Sequence, residues 1–252
     1  MKTIGLIGGM SWESTAEYYR IINETVRARL GGLRSAKIVM VSVDFAEIEA
    51  MQAEGRWDDA GMALANAARQ LDSAGADVIL ICSNTMHKVA DVVEAATSLP
   101  LLHLADATAS RIHAVVSSLV LDPPSSTTRA YTIHDRPVIG LLGTAFTMEQ
   151  SFYKDRLASR GLTVIVPGES DRAIVHRIIY DELCLGIVRE ESRAEYQRIM
   201  RSLVDQGAQG IVLGCTEIEL LIDPGDESIA PLFPTSRIHA EAAVEWAIAE
   251  SG

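Results

Sequence analysis

The chain has 252 residues, enough for one large domain or for two of roughly 100 to 130 residues, each with its own core. Hydrophobic residues make up 48% and charged residues 22%, which excludes a disordered polyelectrolyte and matches an ordinary globular protein. With 22 basic against 34 acidic side chains the net charge is −12, and a surface of that sign repels nucleic-acid phosphates and anionic lipid, so neither is expected as a partner.

The opening segment, MKTIGLIGGMSW, carries a short apolar run that Gly8, Gly9 and Glu13 interrupt before a signal-peptide core is complete, and it predicts a buried strand. No stretch approaches the ~18 apolar residues of a membrane-spanning helix, so a soluble, cytoplasmic protein is expected. A helical period follows from Trp12 to Leu30, then a second strand in KIVMVSVDF, a second helix from about Asp58 to Ala74, and a third strand in DVILICSN. The third run is almost continuously apolar, as a strand covered on both faces should be. Short apolar runs alternating with helical stretches predict βαβ units on a mostly parallel sheet. Between Asp122 and Pro137 the sequence DPPSSTTRAYTIHDRP, rich in Pro, Ser and Thr, predicts a mobile surface loop. Cys82, Cys184 and Cys215 form no disulfide framework and show no metal-ligand spacing, so no metal is expected and each thiol is packing or chemistry.

A search for self-similarity gives more. RQLDSAGADVILICSNT from Arg69 lies over RSLVDQGAQGIVLGCTE from Arg201 at a constant offset (201 − 69 = 132), with five identities in 17 positions. The flanks agree: TIGLIGGMSW matches VIGLLGTAFT from Val138, and PLLHLADAT from Pro100 matches PLFPTSRIH from Pro231, in the same order. The repetition predicts two α/β halves on one plan, residues 1–104 plus 235–252 and residues 105–234, with a cleft between them.

The repeat puts Ser83 over Cys215, both just beyond the carboxyl end of an apolar strand, which is where open α/β sheets bind ligands. Asn84 and Thr85 follow the first, Thr216 and Glu217 the second, and their side chains and N–H groups are candidates for holding a carboxylate at a helix N-terminus. Gly214 and Thr216 around Cys215 describe a tight strand-to-helix turn that exposes the thiol, whereas Cys82 and Cys184 are expected to be packing. GLIGGM lacks both the GxGxxG spacing and the P-loop lysine; it predicts a turn that lets main chain approach a ligand. Met10 in that turn and Thr144 in the matching one join the candidate substrate-binding set. His87, His113 and His239 lie near helical starts, where capping, packing and tuning of a thiol all remain open.

Five strings in this order, GLIGGMSWEST, CSNTMHKVAD, GTAFTMEQSFY, IYDELCLG and GCTEIELL, resemble the aspartate/glutamate racemase family over nearly the whole chain. The resemblance implies two pseudo-symmetric, Rossmann-like (flavodoxin-like) parallel-sheet halves, an active site in the cleft, no cofactor, no metal, an amino-acid substrate and a homodimer. It also implies two residues facing each other across the substrate α-carbon, both cysteines in typical members. Here the first is Ser83, and a hydroxyl at that position is similar to the branch that prefers L-aspartate and L-glutamate. By the same resemblance Gln52 lies near the side-chain carboxylate, Cys184 stands where some relatives have lysine, and Pro234 where relatives often carry Asp.

Inverting an α-carbon needs one group to remove a proton from one face and another to deliver a proton to the other. A thiol titrating near ~8.5, lowered by a cation or a helix N-terminus, would offer both forms near neutral pH. Cys215 is thus expected to take the α-proton of the L-enantiomer, with Ser83, directly or through water, returning one. Two alternatives stay open: another reaction of the same superfamily, of hydantoin racemase, maleate isomerase or arylmalonate decarboxylase type, and a small-molecule binding protein that has lost the chemistry.

Overall fold

The computed structural model describes residues 1–121, 136–223 and 228–249; the loop expected over 122–137 lies outside them except for its last two residues. The chain divides into two compact units, Met1–Leu104 with Ser236–Gly252, and Ala105–Thr235.

In the first unit, β1 (Ile4–Gly8), α1 (Trp12–Leu30), β2 (Ile38–Ser42), α2 (Phe45–Ala53), α3 (Trp57–Ser73) and β3 (Val78–Ile81) lead to a 3-10 turn (Thr85–Val89) and α4 (Ala90–Glu94). The strands pair in parallel in the order β2-β1-β3, with Ile4 opposite both Ile38 and Val78. α1 has the limits its periodicity predicts, because both ends are capped: Ser11 accepts the Ser14 N–H, Glu13 sits in the first turn, Arg27 and Arg29 in the last, and Gly31 ends it with φ 71°. α2 was not expected. It is short, started by Asp44 accepting the Ala46 N–H at 3.0 Å, and buries only Ile48 and Gln52, which leaves little helical period to read. For the same reason β2 stops at Ser42 rather than running on to Phe45, and as an edge strand it is only partly covered.

Side-chain alternation decides which face each strand residue serves. Ile4, Leu6, Val78, Leu80 and Cys82 pack under Tyr18, Ile21, Ile22 and Val26 of α1 and under Ala240, Ala243, Val244 and Ala247 of the terminal helix. Ile7, Ile79 and Ile81 face the other way, onto Ile48, Leu64 and Leu71.

The second unit runs α5 (Leu104–Leu121), β4 (Val138–Gly143), α6 (Ala145–Glu149), α7 (Ser151–Ser159), β5 (Thr163–Ile165), α8 (Glu169–Asp181), a 3-10 turn (Leu183–Leu185), α9 (Glu190–Asp205), β6 (Ile211–Gly214), α10 (Ile218–Leu221) and β7 (Leu232–Pro234), from which α11 (Thr235–Ala249) departs. Its parallel sheet has the order β5-β4-β6-β7. The first unit has the same plan, with the fourth strand reduced to a bridge: Leu101 pairs with Ile79 as Leu232 pairs with Ile211.

The repeat reaches into details that identity does not reveal. α3 and α9 end alike: Gly75 and Gly207 take left-handed backbone, and the Ala76 and Ala208 N–H groups return to the Leu71 and Leu203 carbonyls at 3.0 Å in each case. Asp77 then accepts the Thr3 N–H at 2.6 Å and donates its own N–H to the Thr3 carbonyl at 2.8 Å. Gln209, at the matching position, does the same with Val138 at 3.1 and 2.7 Å. A carboxylate and an amide, different in sequence, close the start of the sheet in the same way.

His239 of α11 is buried in the first unit, accepting the Tyr18 hydroxyl at Nδ1 (2.9 Å) and donating Nε2–H to the Leu102 carbonyl (2.7 Å). Burial, with His87 nearby, pushes its pKa down to about 3. The unfolded chain therefore binds this proton more tightly than the native state does, so the contribution is whole above about pH 6.5 and is lost as pH falls toward 3. Urea titrations should show unfolding free energy falling by up to about 1.4 kcal/mol per pH unit below pH 6.5. The fall should be shallower in His239→Gln, and parallel curves for the two proteins would contradict this assignment.

Candidate active site

Each unit places a candidate group just beyond the carboxyl end of its third strand. β3 ends at Ile81, and Cys82 continues its covered face, fully buried, with burial pushing its thiol far up and out of use. Ser83 comes next and is partly exposed. Its hydroxyl accepts the Met86 N–H at 3.4 Å and its carbonyl accepts the His87 Nδ1–H at 2.7 Å, so the chain folds back on Ser83 as a 3-10 turn. This turn replaces the α-helix N-terminus expected there. Asn84 and Thr85 are buried in it, and the Asn84 carbonyl accepts the His87 N–H at 3.2 Å. Gln52, on α2, is buried with its amide donating to Met86 Sδ at 3.0 Å, which ties α2 to the turn that carries Ser83.

Met10 packs into the apolar cluster of Ile7, Ile48, Ile81 and Met86. The glycine turn before it corrects another expectation: Gly9 has φ 93°, and a Cβ there would strike the main chain of Val43. The close approach that requires glycine at position 9 is to the end of β2.

In the second unit Cys215 follows β6 directly and is partly exposed. Gly214 does not take left-handed backbone; a Cβ there would stand 2.8 Å from the Leu142 carbonyl, so glycine serves the tight pairing with β4 and not a sharp exposing turn. The Cys215 thiol donates to Glu217 Oε2 at 2.9 Å. Glu217 therefore engages the thiol itself, a role the substrate-binding assignment missed. Thr216 is partly exposed between them, its carbonyl accepting the Glu219 N–H, and α10 beyond has only four residues. Thr144 caps α6, accepting the Thr147 N–H at 3.4 Å.

The expectation of a thiol easily ionised near neutral pH is not met. Burial pushes the Cys215 pKa well up, and the Glu217 carboxylate and Cys184 push it further, so Cys215 rests as a thiol. Its electrostatic neighbours were not recognised in the sequence. Tyr196 of α9 is buried, donates to the Val175 carbonyl at 3.3 Å, and feels Cys215, Glu182 and Cys184; Glu182 accepts the Ser192 hydroxyl at 2.6 Å. His176 of α8 was also missed: its Nδ1 accepts the Ala145 N–H at 3.2 Å, which fixes the turn that begins at Thr144. His113 donates to the Arg160 carbonyl at 2.8 Å, and His87 and His239 bind main chain, so none of the three tunes a thiol directly. Among the described residues no cluster of His, Cys, Asp and Glu could hold a metal ion, and no helix is long and apolar enough to cross a membrane.

Each unit thus carries a proton-bearing side chain just beyond the carboxyl end of its third strand, a thiol beside a carboxylate in one and a hydroxyl in the other. The chain belongs to the Asp/Glu/hydantoin racemase family, whose profile matches residues 7–243, and is an amino-acid racemase of the kind that works without pyridoxal phosphate. It is 53% identical to a Yersinia pestis protein assigned to the Asp/Glu racemases, with a TM-score of 0.86 over 98% of this chain and 100% of the other. An aspartate racemase homologue from Pyrococcus horikoshii OT3 gives 31% identity and a TM-score of 0.80 over 98% and 100%. The broad-specificity amino-acid racemase RacX of Bacillus subtilis (strain 168) is 23% identical over 195 residues, 76% of this chain and 74% of that protein.

Iodoacetamide labelling read by peptide mass spectrometry should modify Cys215 slowly at pH 7, with a rate still climbing above pH 9. Glu217→Gln removes the neighbouring charge and should raise the rate at pH 8 by about tenfold. A wild-type rate that levels off below pH 8 would show the thiol to be depressed instead.

Proposed function

We propose that the chain racemises the acidic amino acids aspartate and glutamate with a preference for the L-enantiomer, using Cys215 and Ser83 on opposite faces of the α-carbon. The observation that carries this reading is the equivalence of Ser83 and Cys215: each unit is built on the same strand order, and each offers a proton-bearing side chain at the same place beyond its third strand. The names of the Yersinia pestis and Pyrococcus horikoshii proteins point to acidic substrates. That of the Bacillus subtilis relative points to a site tolerant of side chains.

The mechanism follows from the protonation state at rest. Cys215 begins as a thiol hydrogen-bonded to Glu217. The substrate ammonium brings positive charge to the thiol, and the thiol proton passes to the Glu217 carboxylate. The resulting thiolate removes the α-proton of the L-enantiomer, and the electron pair left on carbon spreads into the substrate carboxylate, stabilised by N–H donors of residues 83–85 and 215–217. Ser83 Oγ–H, or a water held by it, gives a proton to the opposite face, and solvent restores the hydroxyl. Glu217 then returns its proton to the solvent-equilibrated site. Because a hydroxyl is a far weaker base than a thiolate, the reverse removal of the α-proton from the D-enantiomer is slow. Gln52, Asn84 and Thr85 of the first unit and Thr144 and Thr216 of the second complete the proposed substrate-binding set, with Met10 acting through packing.

Deuterium incorporation from heavy water tests both halves at once. Exchange at the α-carbon of L-aspartate or L-glutamate should outrun exchange of the D-enantiomer, Cys215→Ser should lower racemisation roughly 10²- to 10⁴-fold, and Ser83→Ala should abolish D-product while sparing L-exchange. Faster exchange of the D-enantiomer defeats the assignment. The enzyme is further expected to be a homodimer, which light scattering of the purified protein would reveal.

A further inference from the structure

Three buried histidines lie together in the first unit, and the proposed proton transfer uses none of them. His87 is 4.6 Å from His103 and 5.7 Å from His239, ring centre to ring centre, and all three are buried. Their hydrogen bonds settle where the protons are. A carbonyl can only accept, so His87 carries its proton on Nδ1, pointing at the Ser83 carbonyl at 2.7 Å; a backbone N–H can only donate, so Nε2, 3.2 Å from the Leu104 nitrogen, is bare. His239 has the opposite tautomer, with Nδ1 bare toward the Tyr18 hydroxyl and Nε2–H on the Leu102 carbonyl. Both rings are neutral; His87 engages main chain at both nitrogens, His239 one main-chain and one side-chain oxygen.

The targets of these bonds are the informative part. Leu102 donates its own N–H to the Ile79 carbonyl, so the 102–104 segment runs along the free side of β3. His87 ties that segment to Ser83, while His239 ties it to α1 through Tyr18. Ser83 is the first residue after the strand and its covered Cys82, where nothing in the sheet ladder holds the peptide plane. His87 does, from four residues further on.

We propose that His87 is a positioning residue for the Ser83 half of the site: its Nδ1–H, braced by the Leu104 N–H on the far side of the ring, sets the Ser83 peptide plane and with it the direction in which the hydroxyl points. This rests on the reading of Ser83 as the proton donor. It separates the two halves of the reaction. The Cys215 face does not depend on His87, because that thiol is set by β6 and Glu217 in the other unit.

The test compares His87→Ala, His87→Asn and His87→Gln with Ser83→Ala, each checked for folding by circular dichroism. The readouts are kcat and KM for L-to-D conversion and the rate of α-deuterium exchange into L-substrate. His87→Ala should lower kcat about tenfold to a hundredfold with KM little changed, and should lower L-exchange by less than about twofold. The Asn amide reaches where Nδ1 lies and can donate to the Ser83 carbonyl, so His87→Asn should recover most of kcat. The Gln amide reaches where Nε2 lies and should not. An unchanged kcat in His87→Ala, an equal loss of L-exchange, or rescue by Gln as good as by Asn overturns the proposal while leaving Ser83 its role. An unchanged kcat in Ser83→Ala removes the reading of Ser83 itself and the positioning role with it. If the Ala protein does not fold, the Asn and Gln pair decides; if neither of those folds, His87 serves stability alone and the proposal fails.

Discussion

Parallel pairing of the first and third strands within each unit is the interaction on which the rest depends. Parallel neighbours cannot be joined by a tight turn, so helices must cover both faces, and every strand ends at the same edge. That edge collects the residues whose polar groups the ladder no longer satisfies. Ser83 follows β3 there and Cys215 follows β6. The opposite edge needs closing too, and Asp77 and Gln209 do it by accepting the Thr3 N–H just before β1 and the Val138 N–H that begins β4.

Several buried titratable groups are held neutral within hydrogen-bonded surroundings. Cys82 and Cys215 rest as thiols, Tyr196 as a phenol and His239 as neutral imidazole, each because burial penalises the charged form. For His239 burial outweighs the Leu102 carbonyl, which by itself favours the charged ring. Cys215 differs in having an acceptor of its own, Glu217, at 2.9 Å. Burial and the neighbouring carboxylate together keep this thiol protonated.

The covered β-strands and the long helices were legible because their periodicity is strong: α1 spans Trp12–Leu30 as its pattern states, and α3 and β3 fall within a few residues of expectation. The short helix α2 was not, because two buried residues make no pattern. The repeat was legible at five identities, yet it is deeper than identity suggests. Asp77 and Gln209 differ in type and perform one task, and Leu101 and Leu232 pair alike although only the second belongs to a strand. The candidate pair Ser83 and Cys215 came from alignment of the two halves, whereas the packing of Gly9 against Val43 at the end of β2 could not be read from the glycine pattern.

By itself the sequence determined the alternation of strand and helix, the duplication and the family, since all of these are written in residue type and spacing. The tertiary structure alone decided the protonation and the partners: that Glu217 takes the Cys215 thiol, that His87 bridges Ser83 to Leu104, and that Tyr18 meets His239 across 221 residues of chain. Burial and hydrogen bonding set these, and both depend on which distant segments the fold brings together, a quantity that no local pattern of residues contains.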